Sequence, residues 1–584
     1  MPNAQCPMPN AQCPMPNAHS HNYSPSSIIS SLYFRYKLTG EGSIRTRGIF
    51  VRLLTTVAAL RCYLTKRCSE NKLIAVTEDL KLDEMTGWYQ TAVGLVPTMG
   101  NLHQGHLSLI QRARQENSTV IVSIFVNPLQ FAPNEDYQRY PRTLEQDQQF
   151  CEQAGVDAIF APTPEEMAVP QKSIQDSKVT QVIPPSAMIT GLCGRSRQGH
   201  FQGVATIVTK LFNLVQPDRA YFGQKDGQQL AIIKRLVADL NLPVEIVGCP
   251  TVREASGLAF SSRNQYLTAT AKEQAAALYR GLRRAEAAFL AGDRNSNKLI
   301  ALVQQEVAIV STILVEYIEL VEPTTLMSLE KVQEEGMLAI AARLESTRLI
   351  DNIILRDRQP IIAIDGPAGA GKSTVARQVA AKLGLVYLDT GSMYRAVTWL
   401  VLQKGIAIDD ECAIAELTSK CKIELTPNQD LQSSVRVWID GIDVTQAIRT
   451  IEVTSQVSAI AAQSYVRQAL VKQQQNWGKK GGLVAEGRDI GTHVFPDAEV
   501  KIFLTASVSE RARRRQEDFN KQGQPEISLE QLERDIAERD WKDSTRKVSP
   551  LQKAADAVEV QTDGLNISEV TAQIVNYYQQ RLSQ

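Results

Sequence analysis

The sequence predicts an α/β protein in which two parallel-sheet domains follow one another along the chain. Between residues 50 and 355, short β-rich segments alternate with helical ones, which is typical of βαβ units. A second strand followed by a glycine-rich turn begins at residues 361–366. The chain has 584 residues, whereas a single hydrophobic core stops growing at roughly 250–300 residues, so more than one domain is expected.

The first domain is predicted to cover residues 49–357. AVGLVPTM at residues 92–99 and STVIVSIFV at residues 118–126 are predicted strands, and HLSLIQRARQEN between them is a predicted amphipathic helix. An Ala-rich helical segment from Thr268 to about Glu306 indicates a smaller C-terminal subdomain.

The second domain is predicted to cover residues 358–584. A short charged connector, residues 356–360, ends in Pro360, and the strand IIAIDG follows it directly. We therefore place the boundary near residue 358.

Composition excludes several classes of function. Apolar residues make up 43% and charged residues 22%, and 63 Lys+Arg balance 63 Asp+Glu, so no global charge favours nucleic acid or a membrane surface. Nine cysteines without CxxC pairs indicate neither a disulfide framework nor a zinc site, and we expect a reducing cytoplasm. The apolar stretch 49–60 is shorter than the roughly 20 residues that span a bilayer, and no secretory signal is expected.

Residues 1–48 open with a heptad repeat, MPNAQCP MPNAQCP MPNAHSH. The repeat lacks apolar a and d positions, so it does not predict a coiled coil, and a disordered extension is expected. A metal site formed by Cys6, Cys13, His19 and His21 is the alternative, but it needs a folded cage that this composition does not favour.

A histidine pair marks the first candidate site. PTMGNLHQGH at residues 97–106 lies between a predicted strand and a predicted helix, so His103 and His106 share one face near a helix start. Free backbone N–H groups and the helix dipole favour phosphate there, and imidazoles can donate hydrogen bonds to ATP oxygens. By itself this motif is only moderately specific, because Gly100 and Gly105 could be ordinary turn glycines.

Four further motifs agree with the first one. They are SIFVNPLQF at residues 123–131, GRSRQGHFQGV at 194–204, YFGQKDGQQ at 221–229 and LAFSSRN at 258–264. This set, in this order, closely resembles pantothenate synthetase, also called pantoate:beta-alanine ligase, over residues 50 to 355. The resemblance implies a Rossmann-like nucleotidyltransferase fold with a small C-terminal subdomain. It also implies condensation of pantoate with beta-alanine through an acyl adenylate, with ATP consumed and AMP and pyrophosphate released.

The resemblance further implies residue roles. His106 would be the proton donor and His103 its partner on the phosphates, while Gln130 and Gln229 would hydrogen-bond pantoate. Lys225 and Arg263 would supply charge, and Mg²⁺ is expected. The predicted ATP-binding residues are Met99, Gly100, Asn101, Leu102, His103, Gln104, Gly105, His106, Gly223, Gln224, Lys225, Asp226, Val252, Phe260, Ser261, Ser262 and Arg263.

Two features depart from the family pattern. Gly227 stands where the family usually has an aromatic or bulky residue, and about a dozen extra residues lie around Glu78 to Gln90. Neither removes a chemical group, and looser packing near Gln229 is the expected consequence.

The second candidate site is a P-loop. GPAGAGKST at residues 366–374 fits GxxxxGK[ST] between a strand and the helix VARQVAAKLG. Glycines let backbone N–H groups surround phosphates, Lys372 reaches the β and γ oxygens, and Ser373 can ligate Mg²⁺. The predicted ATP-binding residues are Gly366, Pro367, Ala368, Gly369, Ala370, Gly371, Lys372, Ser373 and Thr374.

Arginine-rich motifs downstream indicate the phosphoryl acceptor. They are LDTGSMYR at residues 388–395, VTQAIRT at 444–450, EGRDIGT at 486–492, ERARRR at 510–515 and ERDWKDSTR at 538–546. Together they resemble cytidylate kinase over residues 360 to 584, which implies a P-loop nucleoside monophosphate (NMP) kinase α/β domain that phosphorylates CMP or dCMP. The implied CMP-binding residues are Thr390, Tyr394, Arg395, Arg467, Arg488, Asp489, Arg539, Asp543 and Arg546. The implied lid is residues 511–515, and a β-rich insert is expected around residues 426–450.

The sequence argues against three other functions. HxGH turns also serve nicotinate-nucleotide or lipid-precursor nucleotidyl transfer, but Gln130 and the KDGQQ segment argue against these. A GTPase is not favoured for the second half, because its sequence has no NKxD-type guanine motif and contains the segment TGSMYR instead. A scaffold would require loss of chemical residues, and none is missing. Small-molecule substrates, no nucleic acid, no membrane and a possible homodimer through residues 50–355 complete the expectations.

Overall fold

The computed structural model describes residues 51–77, 92–132, 135, 137–170, 179–426, 435–521, 527–546 and 549–583. The chain divides into two units, Met1–Ile49 and Phe50–Gln584, and the account below concerns the second. The repeat segment with Cys6, Cys13, His19 and His21, and the extra residues 78–90, lie outside the described residues.

The first half of the second unit contains a six-stranded sheet in which every pairing is parallel. Its strand order is β1-β4-β3-β2-β5-β6. This confirms the predicted parallel sheet. The strands are β1 (Arg52–Leu54), β2 (Val93–Thr98), β3 (Thr119–Ile124), β4 (Ala158–Phe160), β5 (Arg219–Gly223) and β6 (Glu245–Cys249).

Helices cover both faces of this sheet. Leu95 and Ile121 belong to one core cluster with residues of helices α1, α6 and α7, whereas Val96 and Val122 belong to another with residues of α2 and α3. Burial on both faces explains why β2 and β3 are almost continuously apolar. The helices are α1 (Val57–Thr77), α2 (Gln104–Glu116), α3 (Leu144–Gln153), α4 (Ser186–Ile189), α5 (Cys193–Ser196), α6 (His200–Val215) and α7 (Gly227–Asp239), with 3-10 turns at Pro128–Gln130 and Gln224–Asp226.

A smaller helical and antiparallel layer follows the first sheet. The side chain of Thr268 caps α8 by accepting from the Ala271 amide, so the helical segment begins where it was predicted. Three antiparallel strands, which the sequence analysis did not predict, complete this subdomain. Its elements are a 3-10 turn (Ser262–Tyr266), α8 (Ala269–Ala275), α9 (Ala277–Leu290), α10 (Ser296–Ala308), β7 (Ile313–Val321), β8 (Glu335–Leu344) and β9 (Thr347–Arg356).

The connection to the second half is shorter than predicted. β9 ends at Arg356 and β10 (Gln359–Asp365) begins three residues later, so only Asp357 and Arg358 lie between them. Pro360, expected to end the connector, lies inside the strand instead. It is tolerated because the pairing of β10 with β16 (Val500–Thr505) starts only at Ile362.

The second half is built on a five-stranded parallel sheet of order β11-β15-β10-β16-β17, with the P-loop strand β10 at its centre. The three strands not yet given are β11 (Val386–Asp389), β15 (Gly481–Gly487) and β17 (Val558–Gln561), and β11 and β17 form the two edges. The helices are α11 (Lys372–Leu383), α12 (Thr390–Gln403), α13 (Glu411–Lys420), α14 (Ile451–Ala462), α15 (Ser464–Gly478), α16 (Val508–Lys521), α17 (Leu529–Thr545) and α18 (Ile567–Ser583), with a 3-10 turn at Ala447–Arg449 and a π-helix at Ile490–Val494.

A small antiparallel sheet corresponds to the expected β-rich insert. It starts slightly earlier than predicted, at Ile423, and residues 427–434 lie outside the described residues. Its strands are β12 (Ile423–Thr426), β13 (Arg436–Ile439) and β14 (Ile442–Asp443). Across the described ranges, no helix is both long enough and apolar enough to cross a bilayer.

Candidate active sites

The histidine turn of the first half forms the N-terminus of α2. His103 is the N-cap residue, and its Nδ1 accepts a hydrogen bond from the Gly105 amide at 3.1 Å. The Nδ1 atom of His106 accepts from the His103 amide at 3.3 Å. Because both Nδ1 atoms accept, the hydrogen of each neutral ring lies on Nε2, which is left to donate to a ligand.

Both histidines are held neutral. Burial, and then the charge of Lys225, lower the pKa of His103 to about 4. Burial, together with the charges of His103 and Lys225, holds the pKa of His106 well below its usual range. At neutral pH the pair therefore offers two uncharged N–H donors, and a phosphate bound beside them would favour their protonation.

Two contacts shape the turn around these rings. The Asp147 carboxylate accepts from the amides of Asn101 and Leu102 at 2.9 and 2.8 Å. The Ser262 hydroxyl donates to the Asn101 carbonyl at 3.2 Å, which brings the predicted 261–263 loop to the histidine turn. Asp147 was not predicted from the sequence, because a carboxylate on α3 gives no motif signal.

Phe260 and Val252 lie on the same side of the site. The Phe260 ring stacks at 6.2 Å from the His103 ring, and the Phe260 amide donates to the Val252 carbonyl at 3.0 Å. The structure thus brings both predicted nucleotide contacts next to the histidine turn.

A cavity lies between the first half's parallel-sheet layer and the antiparallel layer. The 261–263 loop connects it to the histidine turn, but neither His103 nor His106 is among its lining residues. It is lined by five predicted residues, Lys225, Asp226, Gln229, Ser261 and Arg263. The Asn352 amide on β9 donates to the carbonyls of Gln224 and Lys225 at 3.1 and 2.8 Å. The antiparallel layer therefore fixes the turn that carries Lys225.

Gln130 lies beside the cavity rather than among its lining residues. Its Oε1 atom accepts from Asn127 at 3.2 Å, and its Nε2 atom lies 2.9 Å from Sδ of Met99. His200 does line the cavity, and its Nδ1 atom is 2.9 Å from the Gln130 carbonyl oxygen.

Arg197 and His200 are site residues that the sequence analysis did not single out. Both line the cavity, and Arg197 forms two 2.7 Å hydrogen bonds to Glu135. Burial acts to raise the pKa of Glu135, but the Arg197 interactions outweigh it and lower this pKa. Both residues stand in the GRSRQGHFQGV motif at residues 194–204, so the signal that could have identified them was in the sequence.

The expectation of looser packing at Gly227 is wrong. A Cβ atom added there would lie 2.5 Å from Sδ of Met337 and 3.3 Å from Nδ2 of Asn352. Met337 on β8 occupies the space that a larger residue would fill, so the wall beside Gln229 is closed.

The P-loop of the second half runs from the end of β10 to the start of α11. Gly371 is the N-cap of α11 with φ +83°, and a Cβ on Gly366 would lie 1.9 Å from the Leu504 carbonyl oxygen, so both positions favour glycine. The Lys372 ammonium donates to the Pro367 carbonyl at 2.7 Å. Burial, and then the charge of Arg488, lower the pKa of Lys372, which a bound polyphosphate would restore.

Glu486 lies beside the P-loop at the end of β15. Its Oε1 accepts from the Tyr387 hydroxyl at 2.6 Å, whereas its buried Oε2 has no hydrogen-bond partner among the described residues. Burial and the charge of Asp389 raise the pKa of Glu486, and interactions with Lys372 and Ser373 partly oppose this. An unpartnered carboxylate oxygen close to the P-loop serine fits a divalent cation.

The predicted acceptor residues converge on one large cleft. Its volume is about 1740 Å³, and P-loop residues 368–374 line one part of it. All nine predicted CMP-binding residues line it as well: Thr390, Tyr394, Arg395, Arg467, Arg488, Asp489, Arg539, Asp543 and Arg546. Gly366 and Pro367 are not among the lining residues.

Ion pairs fix several of these arginines. Arg467 and Asp489 form a buried pair, Nε of Arg488 lies 2.8 Å from Asp543, and Arg395 lies 3.0 Å from Asp389. Burial opposes the ionisation of Asp489, but the charges of Arg467 and Arg546 outweigh it and lower the pKa of Asp489.

Unpartnered polar atoms mark where a ligand would bind. Within the described residues, Arg539 has no carboxylate within 4.0 Å, and burial and the charge of Arg488 lower its pKa. Buried polar groups are normally hydrogen-bonded, so such atoms indicate a site for an anionic partner. Among the described cleft residues, the buried hydroxyl and guanidinium atoms without a hydrogen bond are the Tyr394 hydroxyl, Nε of Arg395, Arg467 and Arg539, and one terminal nitrogen of Arg546; Oε1 of Gln463 and Oε2 of Glu486 also lack one.

The expected lid arginines occupy different environments. Arg511 is 3% exposed and donates hydrogen bonds to the carbonyls of Ala368 and Ala506 at 3.0 Å each. It therefore holds the P-loop in place and does not face the cleft. Arg513 and Arg514 line the cleft, whereas Arg515 lies over the Phe519 ring. Of the segment 511–515, only Arg513 and Arg514 are among the cleft-lining residues.

Comparison with known proteins gives a match for each half of the chain. The pantoate-beta-alanine ligase family model matches residues 73–354, and the cytidylate kinase model matches residues 362–580. A bifunctional pantoate ligase/cytidylate kinase of Nostoc sp. is 83% identical over 534 residues, which are 91% of this chain and 100% of that protein. A protein of the same name from Trichodesmium erythraeum is 56% identical over 533 residues, which are 90% and 97% of the two chains.

A solved pantothenate synthetase from Thermus thermophilus is also similar. It is 42% identical, covers 52% of this chain and 99% of its own, and has a TM-score of 0.45. The two family models and the relatives that match over almost their whole length lead to one assignment: the chain belongs to the family of bifunctional pantoate ligase/cytidylate kinases.

Proposed function

We propose that the chain carries out two ATP-dependent reactions in two separate sites. Residues 49–357 condense pantoate with beta-alanine and release AMP and pyrophosphate, and residues 358–584 phosphorylate CMP or dCMP. Residues 1–48 are an extension outside both domains. The observation that carries the proposal is the pair of distinct cavities, one beside the histidine turn and one beside the P-loop.

In the first half, the reaction joins two anions. A pantoate carboxylate oxygen attacks the α-phosphorus of ATP, the bond to the bridging oxygen breaks, and pyrophosphate leaves. Neutral His103 and His106 donate from Nε2 to phosphate oxygens, while Lys225 and Arg263 offset the growing charge. This role is supported by the lowered pKa values of both histidines and by the place of both cations in the cavity wall.

The second step forms the amide. The beta-alanine amine attacks the acyl carbon, AMP leaves, and the amine loses a proton. Gln130 and Gln229 hold the pantoate part, and the closed wall at Gly227 and Met337 keeps water from the acyl adenylate. The remaining ATP contacts are Met99, Gly100, Asn101, Leu102, Gln104, Gly105, Gly223, Gln224, Asp226, Val252, Phe260, Ser261 and Ser262.

In the second half, the γ-phosphoryl group passes to the acceptor phosphate. P-loop amides and Lys372 hold the donor, and Arg395, Arg488 and Arg539 hold the acceptor phosphate. Asp489 and Asp543 recognise the base amino group or sugar hydroxyls. The unpartnered guanidinium nitrogens of the cleft support this division of roles.

Mg²⁺ fits the second site. Ser373 and Glu486 would hold it, because a hydroxyl and a buried carboxylate oxygen without a hydrogen-bond partner are ligands that this ion accepts. When bound, the ion would neutralise charge between the β- and γ-phosphates.

We further propose a homodimer through residues 50–355, small-molecule substrates without nucleic acid, and a cytoplasmic location. Free buried thiols, for example Cys151 and Cys249, support a reducing compartment.

Omitting one substrate at a time tests the two-reaction proposal on the full chain. With ATP and Mg²⁺, AMP formation is expected only when pantoate and beta-alanine are both present, and ADP formation only when CMP or dCMP is added. Reading both products by chromatography from the same preparation controls for protein quality. AMP formation independent of pantoate, or ADP formation faster with another nucleoside monophosphate than with CMP or dCMP, would contradict the assignment.

A further inference from the structure

The two halves contact each other well beyond their two-residue connection. One terminal nitrogen of Arg112 on α2 donates to the Thr492 carbonyl at 2.7 Å, and Gln552 donates to the Gln115 carbonyl. Arg356 at the end of β9 lies 3.2 Å from Asp497. These contacts bring α2, the helix that begins with the histidine turn, against the second half.

Residues of the first half hold the Arg112 side chain in its orientation. Its Nε atom is hydrogen-bonded to Glu116, whose other carboxylate oxygen accepts from the Tyr221 hydroxyl at 2.8 Å. Glu116 is 5% exposed and Tyr221 is fully buried. This buried network within the first half already fixes the guanidinium. Little additional side-chain entropy is therefore lost when Arg112 contacts the second half.

Thr492 lies in the single-turn π-helix Ile490–Val494. The Asp365 carboxylate, at the end of β10, accepts hydrogen bonds from the amides of Ile490 and Gly491 at the start of this helix, at 2.8 and 2.7 Å. Arg112 supplies a donor to the other end of the same turn, where carbonyl groups lack partners within the helix. The turn is therefore held at one end by its own domain and at the other end by α2.

The segment just before this turn carries cleft residues. Asp489 is its N-cap residue and pairs with Arg467, and Arg488 pairs with Asp543. A displacement of the π-helix would move Asp489 first, because the Asp489 carbonyl accepts from the amides of His493 and Val494 at 2.9 and 3.1 Å.

We propose that Arg112, a residue of the ligase half, is a positioning residue for the CMP site of the kinase half. Through the Thr492 carbonyl it fixes the turn that places Asp489 opposite Arg467. The inference rests on the proposed kinase function. It makes the kinase half depend on the ligase half, because the acceptor site is complete only when α2 lies against it.

Replacing Arg112 with methionine in the full chain tests this inference. Loss of a charge-assisted hydrogen bond that acts on binding geometry is expected to raise KM for CMP by about five- to tenfold. The kinase KM for ATP, the kinase kcat and the ligase kcat/KM are expected to stay within about twofold of the wild type, because none of their contacts uses this turn. Arg112→Lys, which keeps a donor, is expected to give an intermediate KM for CMP.

Arg356→Ala is the matched control, because it removes a contact between the halves that does not involve the π-helix. It is expected to leave KM for CMP unchanged. The inference is overturned if Arg112→Met leaves KM for CMP unchanged, if both activities fall in parallel, or if Arg356→Ala has the same effect. A wild-type chain that does not phosphorylate CMP would overturn the proposed function and this inference with it.

Discussion

The imidazole rings of His103 and His106 lie with their centroids 4.0 Å apart at the first turn of α2. Each ring accepts a backbone hydrogen bond through Nδ1, and burial keeps both uncharged at neutral pH. The arrangement gives two Nε2–H donors without a fixed positive charge, which suits the proposed contact with ATP phosphates.

Buried histidines predict how stability depends on pH. Burial lowers the pKa of His493 to about 4, and His103 shifts to the same value. A lowered histidine pKa stabilises the fold above the unfolded pKa of about 6.5, and this stabilisation is lost as pH falls from 6.5 to 4. The urea midpoint should therefore decrease over this interval, and it should decrease less in His493→Gln. Equal pH dependence in the two chains would contradict this prediction.

Gly203 on α6 predicts a packing defect confined to the first site. A Cβ there would lie 2.4 Å from the Leu129 carbonyl oxygen and 2.7 Å from the Gln130 amide. Gly203→Ala should displace the turn that carries Gln130, raise KM for pantoate and cost roughly 1–3 kcal/mol of stability. Kinase kinetics measured on the same preparation should not change.

Gly191→Ala is the control for that substitution, because only Glu319 lies within 4 Å of the added Cβ, at 3.8 Å. An unchanged KM for pantoate in Gly203→Ala would show that α6 does not position Gln130.

The buried Arg467–Asp489 pair predicts an asymmetric cost. Asp489→Asn leaves the Arg467 guanidinium, which is 2% exposed, without its carboxylate, and should cost about 3 kcal/mol in unfolding free energy and weaken CMP binding. Arg513→Ala breaks an exposed pair with Glu510 and should lower the unfolding free energy far less than Asp489→Asn does. Denaturant titration of both variants gives the comparison, and similar costs would refute it.

Glu486 predicts a metal dependence specific to the kinase. Glu486→Gln should raise the Mg²⁺ concentration for half-maximal CMP phosphorylation by about tenfold, because one carboxylate ligand is lost. The Mg²⁺ dependence of AMP formation should stay the same, and EDTA should stop both reactions. A parallel shift in both reactions would exclude Glu486 as a ligand of the kinase metal.

Local patterns predicted the parallel sheets and the two nucleotide turns. Strand, turn and helix signals lie within about ten residues of each other around His106 and Lys372, so short-range chemistry was enough. The family resemblance supplied the acceptor residues, which converge on one cleft although they are spread over residues 390–546.

What the sequence did not predict depends on contacts between distant segments. Met337 fills the space at Gly227 from a strand more than a hundred residues away, and Arg112 reaches Thr492 in the other half of the chain. Neither contact leaves a local pattern, because each depends on how whole elements pack. The connector between the halves is shorter than predicted for the same reason. Pro360 was expected to end the connector, but the pairing of β10 with β15 already begins at Gln359.

Separation of the two activities by single substitutions tests the central claim most directly. AMP formation with pantoate and beta-alanine and ADP formation with CMP are measured on each of four full-length variants. His106→Ala should abolish only the first activity and Lys372→Ala only the second, while Gln111→Ala and Lys382→Ala, exposed residues on the same two helices, should change neither. Loss of both activities in either active-site variant would contradict two separate sites.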